Sequence, residues 1–257
     1  MSRGRNLSRT RKTKRVLNDE QFEIDFGSVK KPMNEQALLQ TLKVEVKCKT
    51  ENQKALVNSV RDNIFTIVNG LAGTGKTYLA CAEALRLMIH DEKIKKIVLV
   101  KSITPLKGED IGSLPGDIKD KMGPIMESFM DNIKKIVGLP IAEKLLEFGF
   151  IEVLPIAFAR GRSIDNAVII IDEAQNISID NIRTLMTRIG TDSKVVILGD
   201  VKQKDIRNKR DSSLGIVLER FRNVNGFGCV ELRSKEDIVR HPLIQVIDEI
   251  FDDILGE

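Results

Sequence analysis

Residues 64–78 read Ile-Phe-Thr-Ile-Val-Asn-Gly-Leu-Ala-Gly-Thr-Gly-Lys-Thr-Tyr. A β-branched apolar run carrying Ile64, Ile67 and Val68 enters a loop with glycines at Gly70, Gly73 and Gly75, and a helical pattern begins at Lys76-Thr77. Strand, G-x-x-x-x-G-K-[ST], then helix is the pattern of a phosphate-binding loop, or P-loop. The physics requires each part. Glycines let successive N–H groups curl inward around phosphate oxygens, at a helix N-terminus whose dipole favours negative charge. The Lys76 ammonium can reach the β- and γ-phosphates, and the Thr77 hydroxyl can ligate Mg²⁺. Gly70, Leu71, Ala72, Gly73, Thr74, Gly75, Lys76, Thr77 and Tyr78 are therefore the expected nucleotide cradle.

A second signal lies about a hundred residues on, Ala167-Val-Ile-Ile-Ile-Asp172-Glu173-Ala174-Gln175. An apolar run ending in an acid pair reads as a Walker B strand, and the two carboxylates divide the work. Asp172, at the strand's carboxyl edge, is the expected Mg²⁺ ligand with Thr77. Glu173 is the expected base for the attacking water. Lys194-Val-Val-Ile-Leu198 is another buried strand and runs into Gly199-Asp-Val-Lys-Gln203. Gln203 stands beside the γ-phosphate if this strand neighbours the Walker B strand.

Around these signals, apolar strands alternate with helical patterns. A helix opens after Thr50, an N-cap with Gln53 three residues on in capping-box spacing. The Gln53 carboxamide also matches the N6/N7 edge of adenine, and the two roles are compatible. Buried strands are expected at 96–100 and 151–154, with helices at 77–89, 118–133 and 141–148. After Walker B come a helix from Ser178 closed by Gly190, a helix at 214–221, a strand at 229–232 and a long amphipathic C-terminal helix carrying Ile238, Ile244, Ile247, Phe251 and Ile254. This alternation predicts an α/β fold, a parallel sheet with helices on both faces and ligands at the strands' carboxyl ends.

Composition limits the alternatives. No apolar run approaches the ~18 residues of a membrane span, and the basic N-terminus lacks a signal peptide's apolar stretch. Cys48, Cys81 and Cys229 are scattered and odd in number, which fits a reducing cytoplasm rather than a disulfide or zinc framework. With no Trp, one Tyr and ten Phe, an aromatic stacking platform for single strands has little to work with. Residues 1–15 contain Arg3, Arg5, Arg9, Arg11, Lys12, Lys14 and Arg15 and no acid. Removing these seven charges from the net +4 leaves the rest at −3. Residues 1–46 thus read as a basic, largely unstructured arm and lead-in, and 47–257 as the ATPase domain. The arm is suited to a nucleic-acid backbone, or else is a solvated tail or a targeting signal.

Asp172-Glu-Ala-Gln175, Gly199-Asp-x-x-Gln203 and the upstream Gln53 resemble the motor core of superfamily-one helicases. More specifically, Gly112-x-Leu-Pro-Gly-Asp117, Pro155-x-Ala-Phe-x-Arg-Gly-Arg162, Asp172-Glu-Ala-Gln-Asn176, Thr187-Arg-Ile-Gly190 and Asp237-Ile-Val-Arg-His-Pro-Leu243 resemble the PhoH family of ATPases. The resemblance runs from about Lys49 to the C-terminus. It departs around Ser102–Lys107, where the family's arginine-proline is missing, and at Lys204-Asp-Ile-Arg207. Some relatives carry a PIN nuclease domain upstream; the space before Gln53 is too short for one.

The resemblance implies one RecA-like domain binding Mg·ATP. Hydrolysis calls for positive charge on the γ-phosphate, often an arginine finger. With one RecA-like domain the finger must come from a neighbouring subunit, so a homo-oligomer, preferably a hexameric ring, is expected. Arg160, Arg162, Arg188 and Arg240 are the candidates, Arg162 and Arg188 foremost. Two functions follow from the resemblance. One is an ATPase that moves on or remodels RNA or single-stranded DNA. The other is an ATP-gated switch that docks a nuclease or ribosome-associated partner.

Overall fold

The computed structural model describes residues 34–101, 118–159, 163–203 and 213–239, with 243, 246, 247, 250, 251 and 254. In chain order the elements are α1 (Glu35–Thr41), α2 (Glu51–Asp62), β1 (Phe65–Gly70), α3 (Lys76–His90), β2 (Lys96–Lys101), α4 (Ile118–Val137), α5 (Leu139–Glu147), β3 (Ile151–Pro155), α6 (Ile156–Ala159), β4 (Ala167–Asp172), α7 (Ile179–Met186), β5 (Lys194–Gly199), α8 (Ser213–Phe221) and β6 (Phe227–Leu232). The six strands make one sheet in the order β3-β2-β4-β5-β1-β6. Every pairing is parallel.

The sheet reads as continuous apolar sequence because both of its faces are covered. Side chains alternate across it. Ile67, Val98, Val100, Ile169, Ile171, Val195 and Ile197 share one core with Ala159 of α6, Ile182 and Leu185 of α7, and Leu214, Val217 and Leu218 of α8. Val68, Ile97, Leu99, Val168, Ile170, Val196 and Leu198 alternate with them and are also buried. On that second face α2 packs on α3, α3 on α4 and α4 on α5, with α2 and α3 also against the strands. Phe129, Met130 and Ile133 of α4 are buried, as the amphipathic pattern requires. This is the predicted α/β arrangement, RecA-like in setting β5 between the P-loop strand and the Walker B strand.

Three local expectations need correction. The helix after Ser178 stops at Met186, and Thr187 is its C-cap. Gly190 therefore does not close it; Ile189 instead pairs with Ile164 as an isolated parallel bridge. A side chain at Gly190 would meet Asp165 Oδ1 at 1.8 Å, so the glycine is there for close approach. Thr50 does accept from the Gln53 N–H at 3.2 Å, but the Gln53 side chain turns to the Lys49 N–H at 2.7 Å, so the capping box is only half made. Near the C-terminus Ile238 ends a 3₁₀ turn over Lys235–Asp237 rather than starting a helix. The described helical residues beyond it, Leu243, Val246, Ile247, Ile250, Phe251 and Ile254, are all exposed. Among the described residues no helix is long and apolar enough to cross a membrane.

Candidate nucleotide-binding site

β1 delivers the loop after Gly70 at the carboxyl edge of the sheet, and α3 starts at Lys76 with Gly75 as its N-cap. Gly73 and Gly75 sit at φ 78° and 77°, a region glycine enters without steric cost. The loop is braced by its own side chains. Thr74 Oγ1 and Lys76 Nζ both donate to the Leu71 carbonyl, at 2.9 and 3.3 Å. The Leu71 N–H donates to Leu232 at the end of β6. Tyr78 is half-buried one residue beyond Thr77.

The Walker B carboxylate meets this loop. β4 ends at Asp172, 6% exposed, and the Thr77 hydroxyl donates to Asp172 Oδ2 at 3.2 Å. Two hard oxygens in contact, one of them anionic, fit a magnesium ion completed by phosphate oxygens and water. Beneath them lies Cys81, one helical turn past Thr77. Burial, reinforced by the Asp172 charge, pushes its thiol far up, so it stays protonated.

Glu173 adopts φ 54°, ψ 39°, left-handed geometry that is uncommon for a non-glycine residue. Its carboxylate accepts from Gln175 Nε2 at 2.7 Å, and Gln175 Oε1 accepts from the Asp200 N–H at 3.1 Å. The acid is thereby connected to the turn after β5. Gly199 makes this possible, because a Cβ there would stand 2.5 Å from Gln175 Oε1. Asn69, buried in β1, accepts from the Val201 N–H at 3.1 Å and ties the same turn to the P-loop strand. β5 pairs with β4, so Gln203, exposed at the end of this turn, is on the same edge as Asp172.

Gln53 is 2% exposed. Its carboxamide accepts from the Lys49 N–H and donates to the Thr74 carbonyl at 3.0 Å. It is thus applied to the P-loop backbone itself. Arg188 is not brought to this edge. Its carbonyl accepts from the Ile164 N–H, at the opposite end of β4. The six residues of β4 rise about 20 Å, which keeps Arg188 away from its own P-loop. Its Nε is buried without a hydrogen-bond partner among the described residues. Arg160, Arg162, Arg240, the 102–117 loop and 204–207 lie outside the described residues.

Sequence reasoning named the phosphate loop and the acid pair but assigned nothing to Asn69, Gln175 or Asp200. A polar side chain just before the first P-loop glycine and the glutamine two residues past the acid pair were the available signals.

These features coincide with a family match. The profile described as PhoH-like protein matches residues 45–252. The PhoH-like protein of Bacillus subtilis is 38% identical over 207 residues, 80% of this chain and 64% of that protein. Protein PhoH of Escherichia coli is 33% identical over 199 residues, 77% of this chain and 55% of that protein. The chain therefore spans less than two thirds of the length of these relatives. Among solved structures, the large terminase of a thermophilic bacteriophage is similar at TM-score 0.48 and 10% identity, over 79% of this chain and 50% of that one. The Pif1 helicase of Candida albicans is similar at TM-score 0.38 and 17% identity, over 80% and 44%. By the profile match and these sequence relatives, the chain belongs to the PhoH-like protein family.

Proposed function

We propose that this protein is a magnesium-dependent ATPase that works as a homo-oligomer on RNA or single-stranded DNA. The observation that carries the reading is the meeting of Thr77 Oγ1 and Asp172 Oδ2 at 3.2 Å beside a glycine loop, with Glu173 next in sequence. In this reading the loop N–H groups from Ala72 to Thr77 take the phosphates, the Leu71 N–H being held by Leu232, and Lys76 swings from the Leu71 carbonyl to the β- and γ-oxygens. Thr77 and Asp172 would hold the magnesium ion, which neutralises phosphate charge when bound. Glu173 accepts the proton of the attacking water, held by Gln175 and through it sensitive to the turn carrying Gln203. The position of Arg188 at the far edge of the sheet supports an arginine supplied to the next subunit rather than to its own nucleotide.

Lys76→Ala is expected to abolish ATP binding measured by calorimetry. Glu173→Gln should bind ATP and fail to release phosphate, since removing the base leaves the cradle intact. Normal hydrolysis by Glu173→Gln would overturn the assignment. ATPase rates with and without RNA and single-stranded DNA test the motor. A rate unmoved by either strand favours instead the ATP-gated switch that docks a protein partner.

A further inference from the structure

Two consecutive P-loop carbonyls, those of Gly73 and Thr74, are held from outside the loop. In a trans peptide the C=O and the following N–H point in opposite directions, so anchoring a carbonyl on one side aims the next N–H to the other. The Leu71 carbonyl takes Thr74 Oγ1 and Lys76 Nζ, and the Thr74 carbonyl takes Gln53 Nε2. Between them, the Gly73 carbonyl accepts from the Val239 N–H at 3.1 Å. Val239 is distant in sequence and belongs to none of the nucleotide motifs. Its Cγ2 also lies 3.7 Å from where a Gly75 Cβ would stand.

The segment that presents Val239 is itself fixed at one point. Asp237 is fully buried. Its Oδ1 accepts from Thr50 Oγ1 at 2.8 Å, and its Oδ2 accepts from Asn52 Nδ2 at 2.9 Å, the Ser234 N–H at 3.1 Å and Ser234 Oγ at 2.8 Å. Thr50 is the N-cap of the helix that carries Gln53. One carboxylate thus joins the two pieces of chain that anchor consecutive P-loop carbonyls, and α2 and β6 pack together beside it. A 3₁₀ turn of three residues has no need of four donors to one carboxylate. The arrangement is accounted for if the distance between these two anchors matters.

We propose that the Ser234–Val239 segment is a positioning device for the phosphate cradle. Asp237 sets the segment against the start of α2, and the Val239 N–H holds the Gly73 carbonyl outward so that the Thr74 N–H faces the phosphates. Asp237 and Val239 are positioning residues that touch no nucleotide atom. The inference rests on the nucleotide site proposed above.

Val239→Pro deletes the one donor, and Ile238 at φ −78°, ψ 110° lies close to the extended region that a following proline requires. Asp237→Asn keeps the shape and turns one acceptor into a donor facing other donors. Affinities for a non-hydrolysable ATP analogue and for inorganic triphosphate are measured by calorimetry, alongside thermal melts and steady-state ATPase. Each variant should lose about tenfold in affinity, the value of one hydrogen bond. The factor should be the same for both probes, and the loss should fall on KM more than on kcat. Val239→Ala, which keeps the N–H, should regain most of what Val239→Pro loses. Wild-type affinity in cooperatively melting Val239→Pro and Asp237→Asn proteins would overturn the proposal. So would a loss confined to the ATP analogue, which would make the segment a base contact. If Val239→Pro gives no cooperative melt, Asp237→Asn decides. Equal binding by wild type and Lys76→Ala would instead remove the nucleotide site itself, a separate failure.

Discussion

Gln53 donates to the Thr74 carbonyl and accepts from the Lys49 N–H while 2% exposed. An amide spent this way acts on the phosphate loop before it acts on a base. Gln53→Ala leaves the buried Thr74 carbonyl without this donor, a cost of about 1–3 kcal/mol. ATP and GTP affinities should therefore both fall, with their ratio unchanged. Competition binding of the two nucleotides checks this, and a loss confined to ATP would restore the adenine-reading role. The adenine match was legible from residue type alone. The carbonyl partner was not, because it lies 21 residues away and depends on how α2 packs beside the loop.

At the scale of elements, the Lys235–Asp237 turn is secured by an ionised carboxylate. Burial alone raises the Asp237 pKa, but hydrogen bonds from Asn52, the Ser234 side chain, Thr50 and the Ser234 N–H outweigh it and hold the carboxyl below its ordinary range. A depressed folded-state value contributes stability that is fully present above the unfolded aspartate pKa of about 3.9 and is lost as pH falls through the folded one. Asp237→Asn should therefore destabilise the protein at neutral pH, and the gap to wild type should narrow as the solution is acidified below about pH 4. Urea unfolding of both proteins between neutral and acid pH measures this; a constant gap would mean that the charge is irrelevant. Strands and helices were legible as periodic patterns. The end of α7 was not, because Gly190 resembles a helix stop and is in fact required by the approach of Asp165.

At the scale of the molecule, Arg188 and the P-loop lie at opposite edges of one sheet, so a shared site needs two subunits. Lys76→Ala and Arg188→Ala proteins should each be inactive alone and should recover ATPase activity when mixed. Some interfaces then pair an intact P-loop with an intact arginine. Light scattering should find a closed ring, with a hexamer expected. No rescue by Arg188→Ala, nor by variants at Arg160, Arg162 or Arg240, with an active wild-type monomer would reject the finger in trans. The seven positive side chains of residues 1–15, which lie outside the described residues, would act on a nucleic acid through charge. Deleting Met1–Arg15 should leave basal ATPase near wild type, weaken RNA or single-strand binding, and flatten its salt dependence by up to about 0.7 per lost phosphate contact. Identical salt slopes for the full and shortened proteins would reduce the arm to a solvated tail.

The phosphate loop, the acid pair and the parallel α/β order could be read from the chain alone, since each is short-range. Glycine spacing sets the loop, apolar runs set buried strands, and an acid at a strand's end is fixed by its neighbours in sequence. Only the tertiary structure decided what those groups lean on. The Gln175 bridge from Glu173 to Asp200, the Asn69 bond to Val201, the removal of Arg188 to the far edge and the Asp237–Val239 hold on Gly73 all join residues from separate segments. Such contacts exist only once strands distant in sequence are adjacent in the sheet. No local periodicity encodes that adjacency.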